Sequence, residues 1–272
     1  MNHAISQVEG VGSPLLILLR GSLIEAMRRR GFVVLLIFMG LYLAGIAVAA
    51  VVGVENQATA TFLLNLGLEM AFLLALLSTI LTAARQIPDD MEMRTVHPLL
   101  AKPLGRGQYV TGRILGAWLG GTLAFVPLFL LGWAPPVFLL PSAMAESNSS
   151  ALLMQSFVLQ IVALGVAASV TTMLSLLMPI GMAIIIALVL MLQGHSLTGI
   201  ITSLAPSEAT AAVARWMMNY LPNIDLLRLT TAYTDGAPAL SATSLAARLV
   251  YGALFAVAAA LGAIALFRRR PL

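Results

Sequence analysis

Arg85-Gln-Ile-Pro-Asp-Asp-Met-Glu-Met-Arg-Thr-Val-His-Pro-Leu-Leu-Ala-Lys-Pro-Leu-Gly-Arg-Gly-Gln-Tyr-Val-Thr-Gly-Arg113 is the stretch whose placement decides the fold. It holds eight of the chain's 26 charged residues, 15 basic and 11 acidic, together with His97. Long apolar runs flank it on both sides. Ionised groups are costly in hydrocarbon, so the segment must lie in water while its flanks cross a membrane. The spacing predicts a short helix over 91–100, with Met93, Val96 and Leu100 on one face and charge on the other. Pro88 suits its first turn, Asp89, Asp90 and Glu92 sit near its positive dipole end, and Pro103 and Gly105 end it. A small half-apolar helix on the wet side of a membrane protein has the form of a docking piece for another protein.

Composition sets the same frame. The chain is 60% hydrophobic and 10% charged over 272 residues, with a mean hydropathy of +0.97. Several apolar segments of 20 or more residues place it among helical membrane proteins. The pI of about 10.0 rests on a net charge of +4 and gives no reason to expect nucleic acid. With no cysteine, disulfides, thiolate catalysis and Cys-ligated metals are excluded. The first 14 residues lack a basic segment and do not read as a cleaved signal.

Outward from the charged stretch, the spans are expected at about 31–54, 59–84, 107–133, 151–177, 180–204 and 243–267. Ala151 to Leu204 contains no acidic or basic residue except His195. As one helix it would reach about 80 Å, far beyond a core of about 30 Å, so it must fold back, with Met178-Pro179-Ile-Gly181 as the turn. The third span carries Gly107, Gly112, Gly116, Gly120 and Gly121, small residues that permit close helix packing. Residues 1–30 form a cytoplasmic N-terminus. In it, Leu16, Leu19, Leu23 and Met27 line one face of an interfacial helix that Arg28, Arg29 and Arg30 close; a basic stop before the first span accounts for it equally. Residues 205–242 form an outer loop with short helices, anchored by Trp216 and Tyr220.

Six spans put both termini on one side. Arg20, Arg28, Arg29, Arg30, Arg85, Arg94, Lys102, Arg106, Arg113, Arg268, Arg269 and Arg270 share it, leaving Arg215, Arg228 and Arg248 opposite. The positive-inside rule makes the majority side cytoplasmic. The expected fold is thus an all-α membrane protein of six transmembrane helices, in a cell inner (cytoplasmic) membrane.

Two residues in the spans call for explanation. Glu69 lies near the middle of the second span with Asn65 one turn away; His195 lies inside the outer end of the fifth, near Gln193. Ionisable groups at that depth face a protein interior or a cavity and usually pair. A polar clamp between helices and direct contact with cargo both satisfy that rule.

The sequence resembles ABC type-2 exporter permeases. The likeness rests on Glu92-Met-Arg-Thr95, Leu99-Leu-Ala-Lys-Pro103, Arg106 and Gly112-Arg113, with Arg113 where Lys is usual; with the span layout it covers most of the chain. It implies that residues 1–30 hold an elbow helix. It also implies that the loop 85–106 carries a cytoplasmic coupling helix, in which Asp89, Asp90, Glu92, Arg94, Thr95, His97, Leu99, Leu100, Lys102 and Arg106 meet a separate ATPase. The implied complex has two such ATPases, which bind ATP and Mg, and a second permease subunit, identical or related. Periplasmic or extracellular accessory proteins are further candidate partners. The second and fifth spans would line the path, placing Glu69, Asn65, His195 and Gln193 beside it. This chain has no phosphate-binding Gly-Lys loop, no catalytic residue and no metal site, and is expected to be a non-catalytic subunit. Two other functions stay open: a membrane scaffold that passes ATPase motion to partner proteins without transport, and a secondary carrier using Glu69 as its ion site.

Overall fold

The computed structural model describes residues 31–53, 56–92, 105–139, 149–193, 207–208, 210 and 222–269. The expected elbow helix, residues 93–104 of the charged loop, and His195 lie outside the described residues. Within them the regular structure is helical, with no strand. The elements are α1 Gly31–Val52, α2 Gln57–Glu92, α3 Arg106–Leu139, α4 Ser150–Leu177, α5 Ile180–Gln193, a 3-10 turn Ile224–Leu227, α6 Thr230–Thr234 and α7 Ala242–Arg268.

Four of these, α2, α3, α4 and α7, are long and apolar enough to cross a membrane; α1 and α5 contribute the shorter apolar helices Leu36–Val52 and Ile180–Leu192. In α7 only 17% of the apolar window is buried. Val250, Leu254, Val257 and Leu261 stand exposed along it at spacings of three and four, a stripe that water does not tolerate and lipid does.

Length decides how α2 sits. Its 36 residues reach about 54 Å at 1.5 Å per residue, against a hydrocarbon core of about 30 Å. The helix therefore stands well out of the apolar zone, and the charged turns from Arg85 to Glu92 form the protruding part. The expected break between residues 84 and 91 does not occur: α2 runs straight through Pro88. A proline inside a helix removes one hydrogen bond and costs about 3 kcal/mol. Here packing outweighs that cost. Ile87 is fully buried with Ala83, Tyr109, Val110, Ile114, Ala263 and Phe267 in a separate core cluster at this end of the bundle. Asp89 and Asp90 consequently sit at the negative end of a helix dipole and not, as expected, at a positive one.

α2 packs along α3 and α4 along α7, with α2 also against α4. The α2–α3 crossing is close enough to exclude side chains: a Cβ on Gly132 would lie 2.5 Å from the Gly67 carbonyl oxygen. At the same crossing the Tyr42 hydroxyl of α1 faces the carbonyls of Leu63 at 3.0 Å and Gly132 at 3.1 Å. The larger core, toward the far end from the charged loop, includes Phe72, Phe125 and Phe129, with the half-buried Phe157 packed against it. Trp118 of α3 donates its indole N–H to the Ile161 carbonyl of α4 at 2.8 Å, lying over Gly165. The turn at Met178-Pro179 falls where the sequence puts it, with Met178 extended between α4 and α5.

Candidate functional site

Two polar clusters stand out, one at each end of the bundle. The first ties the feet of the charged loop together. The Asp90 carboxylate near the end of α2 accepts from the Tyr109 hydroxyl and pairs with the Arg113 guanidinium, both on the first turns of α3. Tyr109 packs against Phe267 of α7 with the rings tilted by 33° and centroids 5.5 Å apart, and Arg113 lies 5.8 Å from the Tyr109 ring centre. Arg106 donates to the Arg268 carbonyl at 3.1 Å, joining the start of α3 to the end of α7. Three helix ends are thus fixed to one another around the charged loop. Buried ion pairs cost desolvation and are weak evidence of stability. This one offsets the carboxylate at a helix C-terminus and sets the geometry of the protruding hairpin.

The second cluster surrounds Glu69, whose carboxylate pairs with Arg228, 159 residues away. Arg228 belongs to the strip joining the 3-10 turn to α6, and its guanidinium sits 5.7 Å from the centre of the Phe72 ring. Both side chains keep about a quarter of their surface open, 24% for Arg228 and 25% for Glu69. Charges facing hydrocarbon at that depth would be expensive, so the open side requires water or protein. Two residues on, Thr230 is held by the amide nitrogen of Gln160 in α4 at 2.9 Å. Tyr233 accepts from Trp133 at 3.1 Å. Gln155 of α4 clasps the backbone of Leu240 on both sides, at 3.0 and 2.8 Å. From α7, Tyr251 accepts from the Asn223 amide at 2.8 Å, and Arg248 donates to the Leu226 carbonyl at 2.9 Å.

The expected site residues divide accordingly. Asp89, Asp90 and Glu92 fall in the last turns of α2, and Arg106 opens α3; Glu92 is exposed. Glu69 and Asn65 share a face of α2, four residues apart. Gln193 closes α5, with its side chain outside the described residues. Arg94, Thr95, His97, Leu99, Leu100, Lys102 and His195 are likewise outside them. Sequence reasoning missed Arg228, Gln160, Tyr109 and Thr230. Charge balance could have found the first: an acid deep in a span needs a cation, and only Arg215, Arg228 and Arg248 lie on the side near Glu69.

Fold and clusters define a class: a multi-pass membrane protein, helical throughout its described regular structure, with an internal ion pair and a stapled, protruding pair of helices. Searched against protein-family models and curated proteins, the chain returns no match. Its function therefore has to be argued from these two clusters and the charged loop.

Proposed function

We propose that this chain is the membrane subunit of an ATP-driven ABC exporter of the type-2 kind, docking a separate ATPase on the loop 85–106. The observation that carries the reading is the stapled hairpin, in which Asp90 joins Tyr109 and Arg113 directly beneath the loop. A docking helix on a floppy tether would absorb the displacement of an ATPase. Mounted on two helices locked together, and to α7 through Arg106 and Arg268, it passes that displacement into the bundle. ATP bound between two ATPases favours one of two conformations by its difference in affinity for them, and the hairpin is the lever that couples the choice to the spans.

The accompanying layout is six spans with both termini cytoplasmic, in the inner membrane. Two copies of the chain, or this chain and a related one, face each other and hold two ATPases. The open side of the Glu69–Arg228 pair fits a path or a subunit contact between them. The scaffold alternative shares the same lever and differs only in carrying no cargo. The carrier alternative is weaker, because Glu69 already has a cation in Arg228.

Affinity purification in mild detergent tests the proposal. An ABC ATPase should co-purify in about equal amount, and charge reversal at Glu92 or Arg94 should deplete it. Purification of the chain alone, with transport indifferent to ATP, would overturn it.

A further inference from the structure

The Asn223–Thr234 segment is built unlike anything else in the described chain. Its regular parts are a four-residue 3-10 turn and a five-residue helix, far too short to persist without support. Yet Ile224, Leu227, Leu229, Thr230, Tyr233 and Thr234 are buried. The segment enters the bundle from the end opposite the charged loop. Its contacts Glu69 and Gln160 lie about 18 Å and 15 Å along α2 and α4 from their starts, roughly half of the membrane core.

Its apolar residues Ile224, Leu227, Leu229 and Tyr233 join the larger core, and its polar ties include Glu69 with Arg228, Gln160 with Thr230, Trp133 with Tyr233, and two contacts from α7. The side-chain oxygens of Asn65 and Gln160 and the Arg228 Nε are buried here with no hydrogen-bond partner among the protein atoms. Buried orphans of this kind cost free energy that water would return if the site opened. A short segment seated by its apolar side and tied by one ion pair at its midpoint depends on that pair to keep its charged residue inside the bundle.

We propose that the Glu69–Arg228 pair is a latch, holding the Asn223–Thr234 segment as a removable wedge between α2, α4 and α7 and so closing this end of the bundle. Losing either partner strands the other charge in a largely buried place, which favours the open position where water can reach it. The inference rests on the packing of this one chain and stands whether or not an ATPase docks at the other end.

The absence of cysteine from the chain gives a clean test. Thr230→Cys, on the buried side of the wedge itself, is placed in the parent chain in nanodiscs and exposed to a membrane-impermeant maleimide. Protection is expected in the parent. Glu69→Gln or Arg228→Gln should speed labelling by about tenfold or more, as the open population rises. The double swap Glu69→Arg with Arg228→Glu should restore protection. Ala117→Cys, in the core at the loop end, should stay protected throughout. Unchanged protection of Thr230→Cys in both single variants overturns the proposal. Parallel exposure of Ala117→Cys overturns it too, since the pair would then hold the whole bundle. Should the single variants fail to fold, Arg228→Lys keeps the charge with a shorter reach; labelling faster than the parent supports the latch, and parental labelling refutes it.

Discussion

Gly132 and Gly67 show how single residues set the architecture. Each sits where the other helix's backbone occupies the space a methyl group would need, with Tyr42 wedged at the same crossing. Gly132→Ala should separate α2 from α3 and destabilise the fold by about 1–3 kcal/mol, the usual cost of overpacking. Gly45→Ala is the control: nothing lies within 4 Å of its added Cβ, so the thermal midpoint should hold or rise. Equal effects at both positions would mean the crossing is looser than described. Glu69 belongs to this scale as well. Its depth, and the rule that such a residue pairs, were readable from the sequence, and charge balance narrowed its partner to Arg215, Arg228 or Arg248 without choosing among them. Hydropathy assigns Arg228 to a connecting loop, and only tertiary structure folds that loop back into the bundle.

At the scale of elements, sequence and structure diverge over α2. The turn at Pro179 and the bounds of α4 and α7 were legible, because hydropathy and helix length leave little choice there. Pro88 was different: charge and proline together predict a break, yet the buried contacts of Ile87 with Tyr109 and Phe267 carry the helix through. Local preference lost to tertiary packing. The two accounts disagree on Pro88→Ala. In a continuous helix alanine restores a hydrogen bond and removes a clash, so the variant should be stabilised by up to about 3 kcal/mol, read as a higher thermal midpoint. Were Pro88 the first residue of a new helix, where its fixed φ is favourable, the same change would lower or leave the midpoint. The Asp90 staple makes a companion prediction. Asp90→Asn should cost about 3 kcal/mol, because the largely buried Arg113 guanidinium then loses its counter-charge; Tyr109→Phe should cost less, about 1 kcal/mol for one hydrogen bond.

At the scale of the whole molecule, α2 joins the proposed lever at one end to the proposed wedge at the other. That helix carries Asp90 in its protruding turns and Glu69 in the apolar zone, so a tilt imposed at the first moves the second. In the proposed function an ATPase pushes on the protruding end. Glu92 is exposed at the tip of α2, and Ser149 lies at the start of α4, at the other end of the bundle. Photo-crosslinkers attached to Glu92→Cys and, separately, to Ser149→Cys in native membranes compare the two ends directly, since the chain supplies no other thiol. Glu92→Cys should capture an ABC ATPase, identified by mass spectrometry, while Ser149→Cys captures none and is labelled from outside the cell. Capture of the ATPase from Ser149→Cys, or labelling of Glu92→Cys from outside, would contradict the account.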